Sequence, residues 1–541
     1  MRCRHAILAV LAALMLAPAT ASATALVPLA APGSFASEPV FAASPPGDPR
    51  VFIVERGGGV RIVEDGNLLA KPFITVPNVD TDVERGLLSI AFPPDYASSG
   101  LFYVFTVAAG PDELDPGAEV GQIRILEYRR SAGDPNLADP DSARLVFSTE
   151  HDAGNHNGGQ IMFGPEGLLY ITIGDDANSS NAQNVLNFFG KVLRIDPRDP
   201  PGEPTYTVPA SNPTFPEDIH SALYSIGLRN PYRASFGPNG ELIVGDVGEG
   251  SWEEVDVGRP TGDERATTLW GANLGWPLCE GFCSSPPPQS GLTEPVFEYP
   301  HSGGSSETTG CAILGGYVVR DPRLIGLTGR YLYGDLCRTD LRTLDLAVSG
   351  ADPRPAGVSL PEDGGNLRGF GEDSRGCIYV LSTENAYRVA PSPDAGKACP
   401  PLPPSPPQPP TGPAADRQPP GLRLKAPRRE RLRRKITVVA TCDEACSLWA
   451  TGWLRTSRAK ASAVCTAGGH RPGCPGEIRL SSPASGAPGV PVKLRLTLKR
   501  RAFRHAKEAR RSGRSVKALV RVSASDASGN SRLLMAGIVL R

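Results

Sequence analysis

HDAGNHNGGQIMFGPEGLLYITIGDDANSSNAQNVLNFFGKVLRIDP, residues 151–197, decides how the chain is read. It opens with a polar loop, His151 to Gln160, that sets two histidines among Gly, Asn and Asp. An apolar run follows, then the turn Gly164-Pro165-Glu166-Gly167, then a second apolar run, Leu168 to Ile173. That second run ends in Gly174-Asp175-Asp176. Short β-rich runs separated by Gly/Pro turns read as paired strands. Ionisable residues crowded at strand ends read as a site on loops, held by a rigid sheet.

The same pattern recurs on both sides: an apolar strand, Phe followed by Gly or Pro, a polar turn with Gly, and a second apolar strand. It is found from Ile90 to Phe105, Phe163 to Ile171, Phe236 to Val244 and Phe370 to Leu381, with a degenerate copy from Gly329 to Asp335. A hairpin pattern over Arg50 to Val63 brings the number of units to six. Repeated small sheets predict an all-β chain with a six-bladed β-propeller, whose radial closure protects strand edges. A large sandwich is the structural alternative. A propeller gathers loops that are distant in sequence around one channel mouth.

The net charge of −1 conceals two regions of opposite character. Residues 421–541 hold 27 of the 56 Lys and Arg but 6 of the 57 Asp and Glu, a net of +21, which leaves −22 for the rest. Between them lies a Pro-rich stretch, PPLPPSPPQPPTGPAADRQPP, which reads as an extended linker. At the other end, Arg2, Arg4, the apolar run Ala6 to Ala17 and the small-residue site Ala21-Ser22-Ala23 predict a secretory signal. That run is shorter than the roughly 20 residues a membrane span needs. The expected organisation is therefore signal peptide 1–23, propeller 24–395, linker 396–420 and basic module 421–541, secreted and without a membrane span. Ten of the eleven cysteines lie beyond the signal, an even number that fits disulfides in an exported protein. The expected pairs are Cys279/Cys283, Cys311/Cys337, Cys377/Cys399, Cys442/Cys446 and Cys465/Cys474.

Strand-like runs such as Ile436 to Val439 and Val492 to Leu498, with one basic helix-like segment from Ala502 to Arg511, make a small immunoglobulin-like β-sandwich the best fit for the module. Its charge suits an anionic cell-wall polymer or an acidic surface; the alternative is a merely solvated basic face. Nucleic acid fits poorly, since the protein reads as exported and the module holds few aromatics.

Four loop motifs carry chemistry: His156-Asn157-Gly158-Gly159-Gln160; Gly227-Leu228-Arg229-Asn230-Pro231; Gly245-Asp246-Val247-Gly248-Glu249 leading to Trp252-Glu253-Glu254-Val255-Asp256; and Asn273-Leu274-Gly275-Trp276-Pro277 leading to Cys279-Glu280-Gly281. A neutral imidazole at His156 can accept a proton near neutral pH. Arg229 offers a planar donor fork for a carboxylate. Exposed carbonyls at Gly248 and Glu249, with Asp246, Glu253 and Glu254 close in sequence, suit Ca²⁺. The plainer readings are a structural turn histidine and ordinary solvated acids.

Together the four motifs resemble the glucose/sorbosone dehydrogenase family, six-bladed propellers that include soluble quinoprotein sugar dehydrogenases. The resemblance covers roughly residues 40 to 390, and extends to Leu186 to Pro197, Gly315 to Val318 and Tyr331 to Leu336. The GDVG…EEV and NLGW…CEG forms are most similar to the branch that includes hedgehog-interacting-protein-like proteins. The resemblance implies pyrroloquinoline quinone (PQQ) and Ca²⁺ at the propeller mouth and a sugar as substrate. It implies that His156 takes the proton of the sugar C1 hydroxyl while hydride passes to the quinone. Arg229, Asn230 and Arg368 would contact the cofactor, and Gly248 and Glu249 would bind its Ca²⁺ through their carbonyls. His151 is expected to be structural.

Some positions depart from the family pattern. Gln160 stands in place of an Arg, Val247 in place of a polar contact, Asn366 in place of a second Arg, and Cys337, next to Arg338, near a cofactor-binding Lys. PQQ has three carboxylates, and each lost charge-assisted contact is worth about 1.5–3 kcal/mol. The sequence therefore carries two readings. One is a secreted PQQ- and Ca²⁺-dependent dehydrogenase acting on aldose-type sugars. The other is a non-catalytic propeller that binds a carbohydrate or protein ligand at the cell surface.

Overall fold

A computed structural model describes residues 24–198, 205–215, 222–263, 265–283, 291–301, 309–348, 350–392, 421–456, 478–480, 484–498, 500–512, 515–525 and 531–541. The expected signal peptide and the whole of the expected linker, with Cys399, Cys465 and Cys474, lie outside these residues. Among the described residues, no helix is long and apolar enough to cross a membrane.

Residues 24–391 fold as six antiparallel units, five of them four-stranded and the first with two short strands, Asn67–Leu68 and Ile74–Thr75, both paired to its third. The innermost strands are Pro39–Ala43, Leu87–Ala91, Ile161–Phe163, Arg233–Phe236, Ile313–Val318 and Leu367–Glu372. The second strand of each unit is buried along its whole length apart from Leu101, as in Leu169–Ile173 and Tyr331–Asp335, because neighbouring blades cover both of its faces. This explains why these strands read as continuous apolar runs rather than alternating ones.

Six apolar cores, one between each pair of adjacent blades, close the ring. Phe41 and Phe52 pack with Leu87 and Phe102 between the first and second blades. Phe105 and Ile125 pack with Ile161 and Ile171 between the second and third. Tyr170 and Tyr224 pack with Leu242 and Val244 between the third and fourth. Ile243 and Val255 meet Ile313 and Tyr331, and Leu332 and Leu341 meet Leu367 and Phe370. The sixth core joins Tyr379 and Leu381 to Ala42 and Ile53. Two backbone devices seal that last junction. Thr24–Pro28 pairs antiparallel with Ala386–Pro391 as the outer strand of the sixth blade. Ala42 and Ala43 also pair parallel with Gly371 and Glu372 across the first and sixth blades.

Because each unit begins with a hairpin, the start of its first strand and the end of its second lie on the same rim. The loops at His156 and Arg229 precede first strands, and Arg368 is the second residue of one. Asp175, Asp246 and Asp335 end, or follow directly upon, second strands. One rim thus collects the first three motif loops, and the fourth reaches it through the hydrogen bond from Trp276 to Asp175.

The C-terminal module surrounds its own core, in which Ile436, Val438 and Ala440 alternate inward beside Leu494, Leu496, Val520 and Val522. Its helix, Arg500–Arg511, packs Ala506 and Ala509 against this core. The hydrogen bonds of the described strands run in one nine-stranded path rather than in two separate sheets, so the pairing does not establish the immunoglobulin-like sandwich expected from the sequence. Disulfides join Cys279 to Cys283, Cys311 to Cys337 and Cys442 to Cys446, as expected, and Cys377 is also disulfide-bonded.

Candidate active site at the propeller mouth

His156 sits on a loop that turns through a left-handed backbone, φ 58° at His156 itself. That conformation is uncommon for a residue with a side chain and is held by the contacts around it. The His156 N–H donates to Glu84 Oε2 at 3.0 Å, and the His156 carbonyl lies 3.1 Å from His151 Nε2. The loop also presses on the strand end that faces it. A Cβ added at Gly174 would lie 2.1 Å from the His156 carbonyl oxygen, so only glycine fits there.

This close approach brings His156 Nδ1 to 2.7 Å from Asp175 Oδ1. The second carboxylate oxygen of Asp175 accepts the indole N–H of Trp276 at 2.9 Å. The Asp175 N–H donates to the Arg229 carbonyl at 2.7 Å. Asp175 is 1% exposed. An ionised carboxylate can only accept, so Nδ1 carries the hydrogen and Nε2 presents its lone pair. Nε2 makes no hydrogen bond among the described residues. His151 is buried, and that burial lowers its pKa despite the nearby Asp176; it supports the loop, as expected.

Asp246 clamps the next loop by accepting the backbone N–H groups of Arg229 at 2.9 Å and Asn230 at 2.7 Å. Burial pushes its carboxyl up to about 7, against the pull of those two donors. Arg229 lays its guanidinium 5.8 Å from the Trp276 ring centre and donates to the Val247 carbonyl at 3.0 Å. No described carboxylate forms an ion pair with it. Asn230 does not project as a free cofactor contact: its side-chain oxygen accepts the Gly158 N–H at 3.0 Å and so fixes the histidine loop.

Other expected contacts are engaged elsewhere. Gln160 is 1% exposed and donates to the Ile161 carbonyl, so it belongs to the interior rather than to an open cofactor surface. Arg368 Nε lies 3.1 Å from Glu38 Oε2, and Arg56 approaches the same oxygen at 3.4 Å. Cys337 is tied to Cys311, and Arg338 is paired with Asp340.

The expected metal set divides in two. Glu253 and Glu254 are neighbours in the strand Trp252–Gly258, so they point to opposite faces. Glu253 accepts from the Ile313 N–H at 2.8 Å and pairs with His301. Glu254 instead accepts the Gly281 N–H and shares its face with Asp246 and Asp256. Glu253 and Glu254 therefore cannot bind one ion together. Burial drives the carboxyls of both Glu254 and Asp256 well above their usual range. Neither oxygen of Asp256 has a hydrogen-bond partner. The loop at Gly248 and Glu249 winds around Glu280, whose Oε1 accepts the N–H groups of Glu249, Gly250, Ser251 and Trp252 at 2.7–3.2 Å. Cys311, Asp335 and Cys337 are close enough to resemble a metal site, but both sulfurs are in a disulfide.

Sequence reading identified His156 but gave no role to Asp175, Trp276 or Glu38. Asp175 was visible as the Gly-Asp-Asp end of a strand, and Trp276 as part of the fourth motif; their pairing with His156 exists only in the folded ring.

Comparison with known proteins identifies the family of the ring of blades. HIPL1 protein of Arabidopsis thaliana is 28% identical over 432 residues, covering 64% of this chain and 60% of its own length. Aldose sugar dehydrogenase YliI of Escherichia coli is 25% identical over 349 residues, covering 62% of this chain and 84% of its own. The PQQ-bound aldose sugar dehydrogenase from Streptomyces coelicolor shares the fold with a TM-score of 0.51 at 22% identity, over 68% of this chain and 98% of its own. The model of the family described as Glucose / Sorbosone dehydrogenase matches residues 37–390, the whole ring of blades apart from its closing N-terminal strand. The chain therefore belongs to the glucose/sorbosone dehydrogenase family.

Proposed function

We propose that the protein is an exported dehydrogenase that oxidises the C1 hydroxyl of an aldose-type sugar at the propeller mouth, with PQQ as electron acceptor and Ca²⁺ as its metal. The observation that carries this reading is the chain Trp276–Asp175–His156, which leaves Nε2 of a buried imidazole as a proton acceptor. His156 takes the hydroxyl proton. Asp175 holds the ring in one tautomer and stabilises the imidazolium that forms, and Trp276 fixes the carboxylate. Asp175, Trp276 and His156 are all buried, which strengthens each of these interactions.

The donor set fits the cofactor at its base side. Arg229 is free of carboxylate partners, and the Gly248 and Glu249 carbonyls are oxygen donors of the kind Ca²⁺ takes. When bound, the quinone supplies the two-electron sink for the hydride.

A second reading is favoured by Glu38. It already occupies Arg368, and a disulfide stands near the expected lysine, so the mouth holds fewer free cations than a tricarboxylate uses. On that reading the mouth binds a carbohydrate or protein ligand without turnover.

One experiment separates them. The full chain is mixed with Ca²⁺ and PQQ; quinone binding is followed by fluorescence, and dye reduction is followed with a panel of aldoses. Sugar-dependent reduction supports the dehydrogenase. No tight quinone binding and no reduction with any aldose overturn it in favour of the binding module.

A further inference from the structure

The three neighbouring strands Leu422–Lys425, Lys435–Cys442 and Val492–Leu498 have one face on the module's core and one face open. Their register decides what the open face carries. Arg423 is opposite Thr441, and Lys425 is opposite Val439. Val439 is in turn opposite Lys493, Thr437 opposite Arg495, and Lys435 opposite Thr497. The residues between them, Leu422, Ile436, Val438, Ala440, Leu494 and Leu496, are buried. The outward grid thus holds Arg423, Lys425, Lys435, Lys493 and Arg495, all exposed, with three threonines, one valine and no acid. None of the five cations makes an ion pair, a side-chain hydrogen bond or a ring contact among the described residues. Asp443, just past the end of the central strand, is engaged by the Gly421 N–H.

We propose that this face is a docking surface for a linear phosphodiester polymer of the cell envelope. Strands about 4.8 Å apart, with same-face residues about 6.8 Å apart along each, set the five cations on a lattice of roughly 7–10 Å. Like charges placed this way repel one another and destabilise the sheet unless a counter-charge is present. A polymer with negative charge at short, regular intervals neutralises several of them at once and releases its counterions. Lysine ammoniums suit phosphate as point charges, and arginine forks suit it as paired donors. The threonine hydroxyls add neutral donors between them. With Val439 as its single apolar side chain, the face offers no hydrophobic anchor for a folded protein partner.

The test uses the full chain and poly(glycerol phosphate) as probe, with polygalacturonate and duplex DNA in parallel. Titration at several salt concentrations should give a log K that falls linearly with log salt, by roughly 0.7 per phosphate neutralised. The double variant Lys425→Glu/Lys493→Glu should weaken polymer binding at least about tenfold, while sugar-dependent dye reduction is unchanged and the module's melting point does not fall. Helix variants Arg504→Glu/Arg510→Glu should weaken it less. Four results overturn the proposal: no polymer binding at physiological salt, binding that survives the sheet-face reversal, tighter binding to polygalacturonate or DNA than to the phosphodiester, or salt-sensitive self-association that blocks the polymer. Because dye reduction is read in the same samples, failure of the dehydrogenase reading shows as a loss of turnover in every variant, whatever the polymer result.

Discussion

The propeller and the C-terminal module handle charge in opposite ways. Every ion pair between described residues lies between positions 38 and 375, and in several one partner is buried: Arg124 with Asp112, Arg85 with Asp80, Asp373 with Arg375. In the module, cations outnumber acids by more than four to one and stand exposed on the open side of a sheet. The difference follows from burial. A blade is covered on both faces, so its polar side chains must find partners inside the fold. A sheet with one open face can leave its outward residues to the solvent or to a partner. The propeller uses charge to arrange its own loops; the module presents charge to something else.

The sharpest way to break this comparison is to remove a charge-bearing group from each region and compare the losses. His156→Ala should reduce kcat by about 10²–10⁴-fold, the range for a lost general base, with sugar binding nearly unchanged and melting lowered because Asp175 loses a buried partner. Lys493→Ala should leave kcat where it was. Steady-state dye reduction on both variants decides it; a His156→Ala enzyme with full turnover removes the imidazole from the reaction.

The next effect concerns stability against pH. Asp246 has a folded pKa of about 7 against an ordinary value of 3.8. Above 3.8 the unfolded chain has lost this proton while the folded chain keeps it, so folding is penalised progressively as pH rises from about 4 to 7. The upper bound is about 4 kcal/mol, at 1.36 kcal/mol per pKa unit. Glu254 and Asp256 are raised by burial too and act in the same direction. Calorimetry from pH 4 to 8 should show the propeller transition falling more than the module's, where burial raises one carboxyl, Glu430. Asp256→Asn should flatten part of that slope, and a slope unchanged by it would remove Asp256 from the explanation.

A smaller effect is expected at Asn230. Its side-chain oxygen holds the Gly158 N–H beneath the catalytic loop, and Asn230→Ala leaves that buried donor unsatisfied at a cost of about 1–3 kcal/mol. A lowered melting temperature together with a several-fold fall in kcat is the expected pair of readouts. A rise in KM alone would mean that the residue contacts a ligand rather than the loop. The smallest effect is on the module: salt raised from about 0.05 to 0.5 M screens its like charges and should raise its melting point by a degree or two, leaving the propeller's in place.

Much of the ring was legible because each blade repeats one local signal. Phe163-Gly164-Pro165 and Phe236-Gly237-Pro238 announce a strand end and a turn within a few residues, and such signals need no knowledge of the fold. Thr24–Pro28 was not recognised as a blade strand, since its partner lies more than 350 positions away and its own five residues carry no turn signal. The site divides along the same line. His156 was visible in its Gly-rich loop, whereas Asp175, Trp276 and Glu38 act across 19, 101 and 330 residues. Asn230 was recognised by its motif but not by its direction, because a side chain that turns inward to a backbone N–H looks the same in sequence as one that faces a ligand. The division of Glu253 from Glu254, by contrast, follows from strand alternation alone and could have been foreseen.

Thr24–Pro28 has one further consequence. Thr24–Pro28 pairs with Ala386–Pro391, so its hydrogen bonds wait for the far end of the ring's sequence. Until some 360 residues have followed it, this segment is a loose end and the ring is an open arc with two bare edges. Closure is thus the final event of the propeller's assembly.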